Sequence, residues 1–119
     1  MPELAILSVE RQGDVELARV AGEIDASNVA DLSRRLLDAV SNDARALILD
    51  LSGTSYIDSS GISLIFDAAA RLRTRRQELR LVAPPRSFVS EVLAAVSMDQ
   101  SVAIDAALDE ALRAARAPD

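Results

Sequence analysis

The run Asp50-Leu51-Ser52-Gly53-Thr54-Ser55-Tyr56-Ile57-Asp58-Ser59-Ser60-Gly61-Ile62-Ser63-Leu64-Ile65-Phe66 decides how this chain is read. It leaves an apolar segment, Ala46-Leu47-Ile48-Leu49, whose unbroken hydrophobicity predicts a buried strand. It crosses a polar loop, Ser52-Gly53-Thr54-Ser55, and then takes up helical spacing through Ile62, Ile65, Phe66 and Ala69. Asp58-Ser59-Ser60-Gly61 stands where that helix opens. Asp and Ser suit helix starts because their side-chain oxygens accept backbone N–H groups that have no partner inside the helix. Taken alone, these four residues fit two readings. One is a capped helix and nothing more. The other is a serine displayed at the positive end of a helix dipole, where a phosphate is well placed.

The flanking segments supply the frame. Residues 4–10 read as a strand, with Leu4 and Ile6 on one face and Ala5, Leu7 and Val9 on the other. Gln12-Gly13-Asp14 supplies a turn, with Gly13 free to take a positive φ. Residues 15–21 form the second strand of a hairpin. Gly22-Glu23-Ile24-Asp25 leads out of it, and Ala26-Ser27-Asn28 offers caps for a helix over 27–40. Val29, Leu32, Leu36, Ala39 and Val40 share the inner face of that helix. Asp31 with Arg35, and Arg34 with Asp38, are spaced for surface ion pairs. Residues 44–51 are apolar enough for a strand covered on both faces, as in a parallel sheet.

A helix over 60–75 follows, then a strand over 78–83 that Pro84-Pro85 ends. A helix over 86–96 is expected to turn Phe88, Val89, Val92, Leu93 and Val96 inward. After a turn at 97–100 come a short strand over 102–104 and a last helix, capped by Asp105 and running to about residue 116, with a frayed tail at 117–119. Tyr56 and Ile57 are expected in the core. The order β-β-α-β-α-β-α-β-α predicts an α/β fold: a mixed sheet of four to five strands with an N-terminal hairpin, right-handed crossovers and about four helices. Functional loops in such sheets gather beyond the carboxyl ends of the strands. Asp25 follows the second strand and Ser59 the third, so both are expected on one rim.

Two blocks in this order carry a family resemblance. The run from Asp50 to Gly61 is similar to the signature of the STAS domain in the bacterial anti-sigma-factor antagonist family. Ala21-Gly22-Glu23-Ile24-Asp25 resembles that family's Gly-Glu-(Leu/Ile)-Asp segment. The resemblance spans nearly the whole chain and implies a single STAS domain over residues 1–119. In that family the first serine after the aspartate is phosphorylated by a partner kinase; here it is Ser59. The resemblance implies a non-enzymatic switch. With Ser59 free, a surface formed by Asp25, Asp58, Ser59, Ser60 and Gly61 binds an anti-sigma factor with serine kinase activity, and a sigma factor is released. Phosphorylation of Ser59 ends the contact and a serine phosphatase restores it. The alternative within the same fold is a STAS accessory or scaffold subunit that never carries phosphate, transporter-associated or part of a signalling complex. The chain departs from the family pattern at Gly61-Ile62-Ser63, where Gly-Leu-Gly is usual. It departs again at Gln77-Glu78, where a glycine pair is common, and at Ser97-Met98, where Gly-Leu is common.

Composition closes off other chemistry. The chain has 119 residues, half of them apolar, with one Tyr, two Phe and no Trp, so its core rests on Leu, Ile, Val and Ala. It has no Cys, which excludes disulfides and thiolate metal sites. It has no His, and all 13 basic residues are Arg. Ser-His-Asp and Ser-Lys catalysis, a P-loop lysine and the lysine of a receiver domain are therefore excluded, and guanidinium is a poor proton shuttle. A catalytic serine would have only carboxylates as bases, so an enzyme is not expected, and no cofactor or metal is called for. The net charge of −6 argues against direct binding of nucleic acid. No leader and no membrane-length apolar run is read in the sequence, which makes the expected location cytoplasmic. The five Arg between Arg71 and Arg80 read as a solvated helix end.

Overall fold

Gly13, at φ 64°, closes the hairpin between β1 (Ala5–Gln12) and β2 (Val15–Ile24). The computed structural model describes residues 5–116, with side chains over 5–115. Leu4 and residues 117–119, for which a strand face and a frayed tail were expected, lie outside the described residues. From β2 the chain runs through α1 (Val29–Ala39), β3 (Ala46–Asp50), β4 (Thr54–Ile57), α2 (Ser59–Thr74), β5 (Glu78–Val82), α3 (Phe88–Ala95), a 3-10 turn (Met98–Gln100), β6 (Ala103–Asp105) and α4 (Leu108–Arg116). The strands lie in the order β1-β2-β3-β5-β6. Only β1 is antiparallel to its neighbour; β3, β5 and β6 add in parallel.

The sheet has six strands rather than four to five. The addition is β4, which falls where a polar loop was expected. It pairs with β2 at Gly22 to Ile24, past the point where β3 has ended, across a register shift between Gly22 and Glu23. The Thr54 hydroxyl donates to the Val20 carbonyl (2.7 Å) in a buried setting, so a polar residue is satisfied inside the sheet.

Strand alternation sorts the core onto two faces. Ala18, Val20, Leu47, Leu49, Leu79 and Leu81 point to the side covered by α1, α2 and α3. Val15, Leu17, Ala46, Ile48 and Val82 meet Ala111 and Ala115 of α4 on the other side. All five residues of β3 are buried, as a strand covered on both faces requires.

Three inward assignments fail, and one expected cap and one expected ion pair change. Tyr56 is 41% exposed, because Thr54 and Ile57 take the inward positions of β4. Phe88 (49%) and Val96 (41%) lie outside because α3 is shorter than expected and turns Val89 and Leu93 to the core. Asp105 does not cap the last helix. It lies in β6, and its carboxylate accepts from Arg80 of the neighbouring strand (Nε to Oδ2, 3.1 Å). Arg34 pairs back to Asp31 (2.5 Å), and Arg35 also reaches Asp31, at 3.6 Å, so the expected Arg34–Asp38 pair gives way to one shared carboxylate.

Candidate functional site at the strand ends

Asp58 ends β4 and opens α2. Its backbone is extended (φ −109°, ψ −170°), and its Oδ1 accepts from the N–H of Ser60 (2.9 Å) and of Gly61 (3.2 Å). The cap is therefore the aspartate. Ser59, the first residue of the helix, is left exposed, and among the described residues its hydroxyl has no hydrogen-bond partner. Asp58 thus satisfies the orphan donors, and Ser59 is not needed as the cap.

Gly61 explains how closely α2 sits on the sheet. It is buried, and a Cβ there would fall 2.5 Å from Ile57 Cγ1 and 3.0 Å from Ile24 Cγ2. Its side of the helix faces inward, and it meets the rim through its backbone. Ser60 is half-buried and lines an open cavity of about 280 Å³ between α1 and α2, together with Val29, Ser33 and Ser63.

Asp25 reaches the same rim from β2. Ile24 and Ile57 are register partners on adjacent parallel strands, and the Asp58 N–H donates to the Ile24 carbonyl (3.2 Å). The residues that follow, Asp25 and Asp58, are thus neighbours beyond the same edge. Ser59 reaches this edge through β4 rather than directly from β3. The Asp25 carboxylate is partly engaged: its Oδ1 accepts from the N–H (2.9 Å) and hydroxyl (2.5 Å) of Ser27. Asn28 completes the loop. Its Oδ1 accepts from the Asp25 N–H (3.1 Å) and its Nδ2 donates to the Glu23 carbonyl (2.8 Å). Asn28 stands at the N-cap position of α1, as expected, but its side chain makes no capping bond and instead braces Asp25. Asx chemistry within a Gly-Glu-Ile-Asp exit was the available signal.

Among the described residues no group of His, Cys, Asp or Glu has a metal-binding arrangement, and no helix is long and apolar enough to cross a membrane.

The STAS domain model matches residues 7–111. The chain belongs to the STAS domain family. Its fold is similar to that of solved anti-sigma factor antagonists. One, from Mycobacterium paratuberculosis, aligns with a TM-score of 0.85 at 24% identity over 95% of each chain. SpoIIAA in its unphosphorylated form aligns at 0.74 and 20% identity, over 95% of this chain and all of that one. The phosphorylated form of the Bacillus cell fate determinant SpoIIAA aligns at 0.70 and 19%, over 93% of this chain and all of that one.

Proposed function

We propose that this chain is an anti-sigma-factor antagonist switched by phosphorylation of Ser59. The observation that carries the reading is the free, exposed Ser59 hydroxyl at the first position of α2, beside a cap already supplied by Asp58. The likeness of the fold to SpoIIAA, known in both phosphorylated and unphosphorylated forms, supports it. In this reading the unmodified rim of Asp25, Asp58, Ser59, Ser60 and the Gly61 backbone binds an anti-sigma factor that is also a serine kinase, and a sigma factor is set free. A serine phosphatase reverses the modification. The protein acts in the cytoplasm and regulates transcription without touching nucleic acid, and it performs no catalysis of its own.

Magnitudes favour loss of binding over loss of fold. A phosphoserine brings roughly −1.5 to −2 charges at neutral pH. The α2 dipole favours a negative group at this end by about 0.3–1 kcal/mol. The scaffold therefore tolerates the phosphate. In a closed interface, like-charge juxtaposition costs several kcal/mol, and each ~1.4 kcal/mol is tenfold in affinity. Asp25 and Asp58 already make the rim acidic, which enlarges that second term.

The test is capture from extract of the source cells with the unmodified chain, Ser59→Ala and Ser59→Glu. The first two are expected to retain an anti-sigma factor kinase and the third to lose it. Equal capture by all three contradicts the proposal.

A further inference from the structure

The chain has three aromatic residues, one Tyr and two Phe, and all of them lie at the surface: Tyr56 is 41% exposed, Phe66 38% and Phe88 49%. Aromatic rings carry the largest apolar area a residue can bury. This fold builds its core without them, from Leu, Ile, Val, Ala and one Met. Scattered apolar residues at a surface need no account. Two of these three are not scattered. Tyr56 of β4 and Phe88 of α3 stack with ring centroids 5.6 Å apart and planes within 15°. The stack joins α3 to β4, which accounts for the contact between the rings but not for the area they leave in water.

We infer that the Tyr56–Phe88 stack is the apolar anchor of the partner-binding surface, seated in an apolar pocket of the partner that is flanked by cationic side chains; this rests on the proposed antagonist function. Position supports it. Tyr56 is three residues before Ser59, and the chain spans at most about 11 Å over that distance. A standard interface buries about 800 Å² on each partner, a patch about 16 Å in radius, which takes in both. Tyr56 is also the register partner of Glu23, which is exposed, and Asp25 and Asp58 follow at the next edge positions. On the Tyr56 side the rings sit beside an acidic rim, while exposed Arg86 lies two residues before Phe88, so the complementary surface is apolar with its basic flank facing the Tyr56 side. Energetics agree: binding hot spots concentrate in Trp, Tyr and Arg, interface cores are enriched in Tyr, Trp and Phe, and the contacts around a hot spot mainly exclude water. A phosphate on Ser59 would then act on a surface whose affinity is held largely by these rings.

A second copy of this chain is the other candidate occupant, and charge argues against it. A two-fold contact places each patch against its own copy. Asp25, Asp58 and Glu23 would then face like charges across the interface, which is repulsive.

The test uses the anti-sigma kinase that source-cell extract yields to the unmodified chain but not to Ser59→Glu, identified by mass spectrometry and purified. Tyr56→Ala and Phe88→Ala are each expected to weaken its binding at least tenfold, with circular dichroism spectra of the unmodified chain. If either alanine variant melts more than a few degrees lower, Tyr56→Leu and Phe88→Leu replace it; they keep apolar area and are expected to bind more weakly than the unmodified chain. Affinities unchanged by either ring substitution, with Ser59→Glu still defective, overturn the anchor and leave the phosphate switch standing. Failure to find any Ser59-sensitive anti-sigma kinase overturns both. Light scattering of the chain alone is expected to report a monomer for every variant. A dimer that the ring substitutions dissociate would assign the stack to self-association instead.

Discussion

Asp58 and Ser59 are adjacent polar residues with different physical jobs. Asp58 accepts two backbone N–H groups at the start of α2, and Ser59 accepts none. Replacing an N-cap aspartate by alanine costs about 1 kcal/mol, whereas an exposed serine with no partner falls within about 0.5 kcal/mol of neutral. Urea denaturation of Asp58→Ala and Ser59→Ala is expected to show that order; the reverse order would make Ser59 the cap. Gly61 offers a sharper case. Alanine would gain up to about 1 kcal/mol of helix propensity, but its Cβ meets Ile57 at 2.5 Å and 2.9 Å and Ile24 at 3.0 Å, all in the interior. Overpacking of that kind costs about 1–3 kcal/mol, so Gly61→Ala is expected to destabilise by about 1 kcal/mol net. The sequence alone offered cap and display as rival readings of one tetrapeptide. What separates them is which oxygen lies over the helix axis, and that depends on the extended backbone of Asp58, which no residue count reveals.

At the scale of elements, segments with strong local periodicity were legible. Strand β1, the apolar β3 and helices α1 and α2 fall within two residues of their expected bounds, and β2 begins where expected but runs three residues further, to Ile24, where β4 pairs with it. The misread elements are those set by distant partners. Thr54 and Ser55, the first half of β4, look like the end of a polar loop until β2, thirty-odd residues earlier, supplies the other half of the ladder. Asp105 resembles a cap until Arg80 arrives from a neighbouring strand. Ser97 shows a third kind of constraint. It is left-handed (φ 55°), and it stands where the family commonly has glycine. That backbone region costs a non-glycine residue about 1–2 kcal/mol, part of which glycine returns through its greater freedom in the unfolded chain. Ser97→Gly is expected to raise stability by up to about 1 kcal/mol in the same urea assay.

The loop before β3 is held by Arg11, whose Nη1 donates to Ser41 Oγ (2.5 Å), Asp43 Oδ1 (3.3 Å) and the buried Glu16 Oε1 (3.3 Å). Arg11→Met leaves the buried Glu16 without that donor and is expected to lower the urea midpoint. The Ser41 hydroxyl, and after it Arg11, hold the Asp43 carboxyl below its ordinary range. A carboxyl lowered in the folded state stabilises the fold above its unfolded value, near pH 4, and that contribution is lost as pH falls through the lower folded value. Asp43→Asn is therefore expected to flatten the decline in stability below about pH 4 and to leave its shape near pH 7 unchanged.

Across the whole molecule, two parallel strands deliver the two motifs to one edge. β2 brings Asp25 and β4 brings Asp58 and Ser59, side by side beyond the Ile24–Ile57 pair. That convergence was legible from strand order, and the route through β4 was not. The result is a sheet carrying an acidic rim, with the Ser59 hydroxyl exposed at its edge. Calorimetric titration of the purified anti-sigma kinase with unmodified chain and with chain phosphorylated at Ser59, each melted in parallel, tests this most directly. The account predicts a fall in affinity of about 100-fold or more with melting temperatures within about 2 °C of each other. Equal affinities, or a lost interaction accompanied by a collapsed melting temperature, would contradict it.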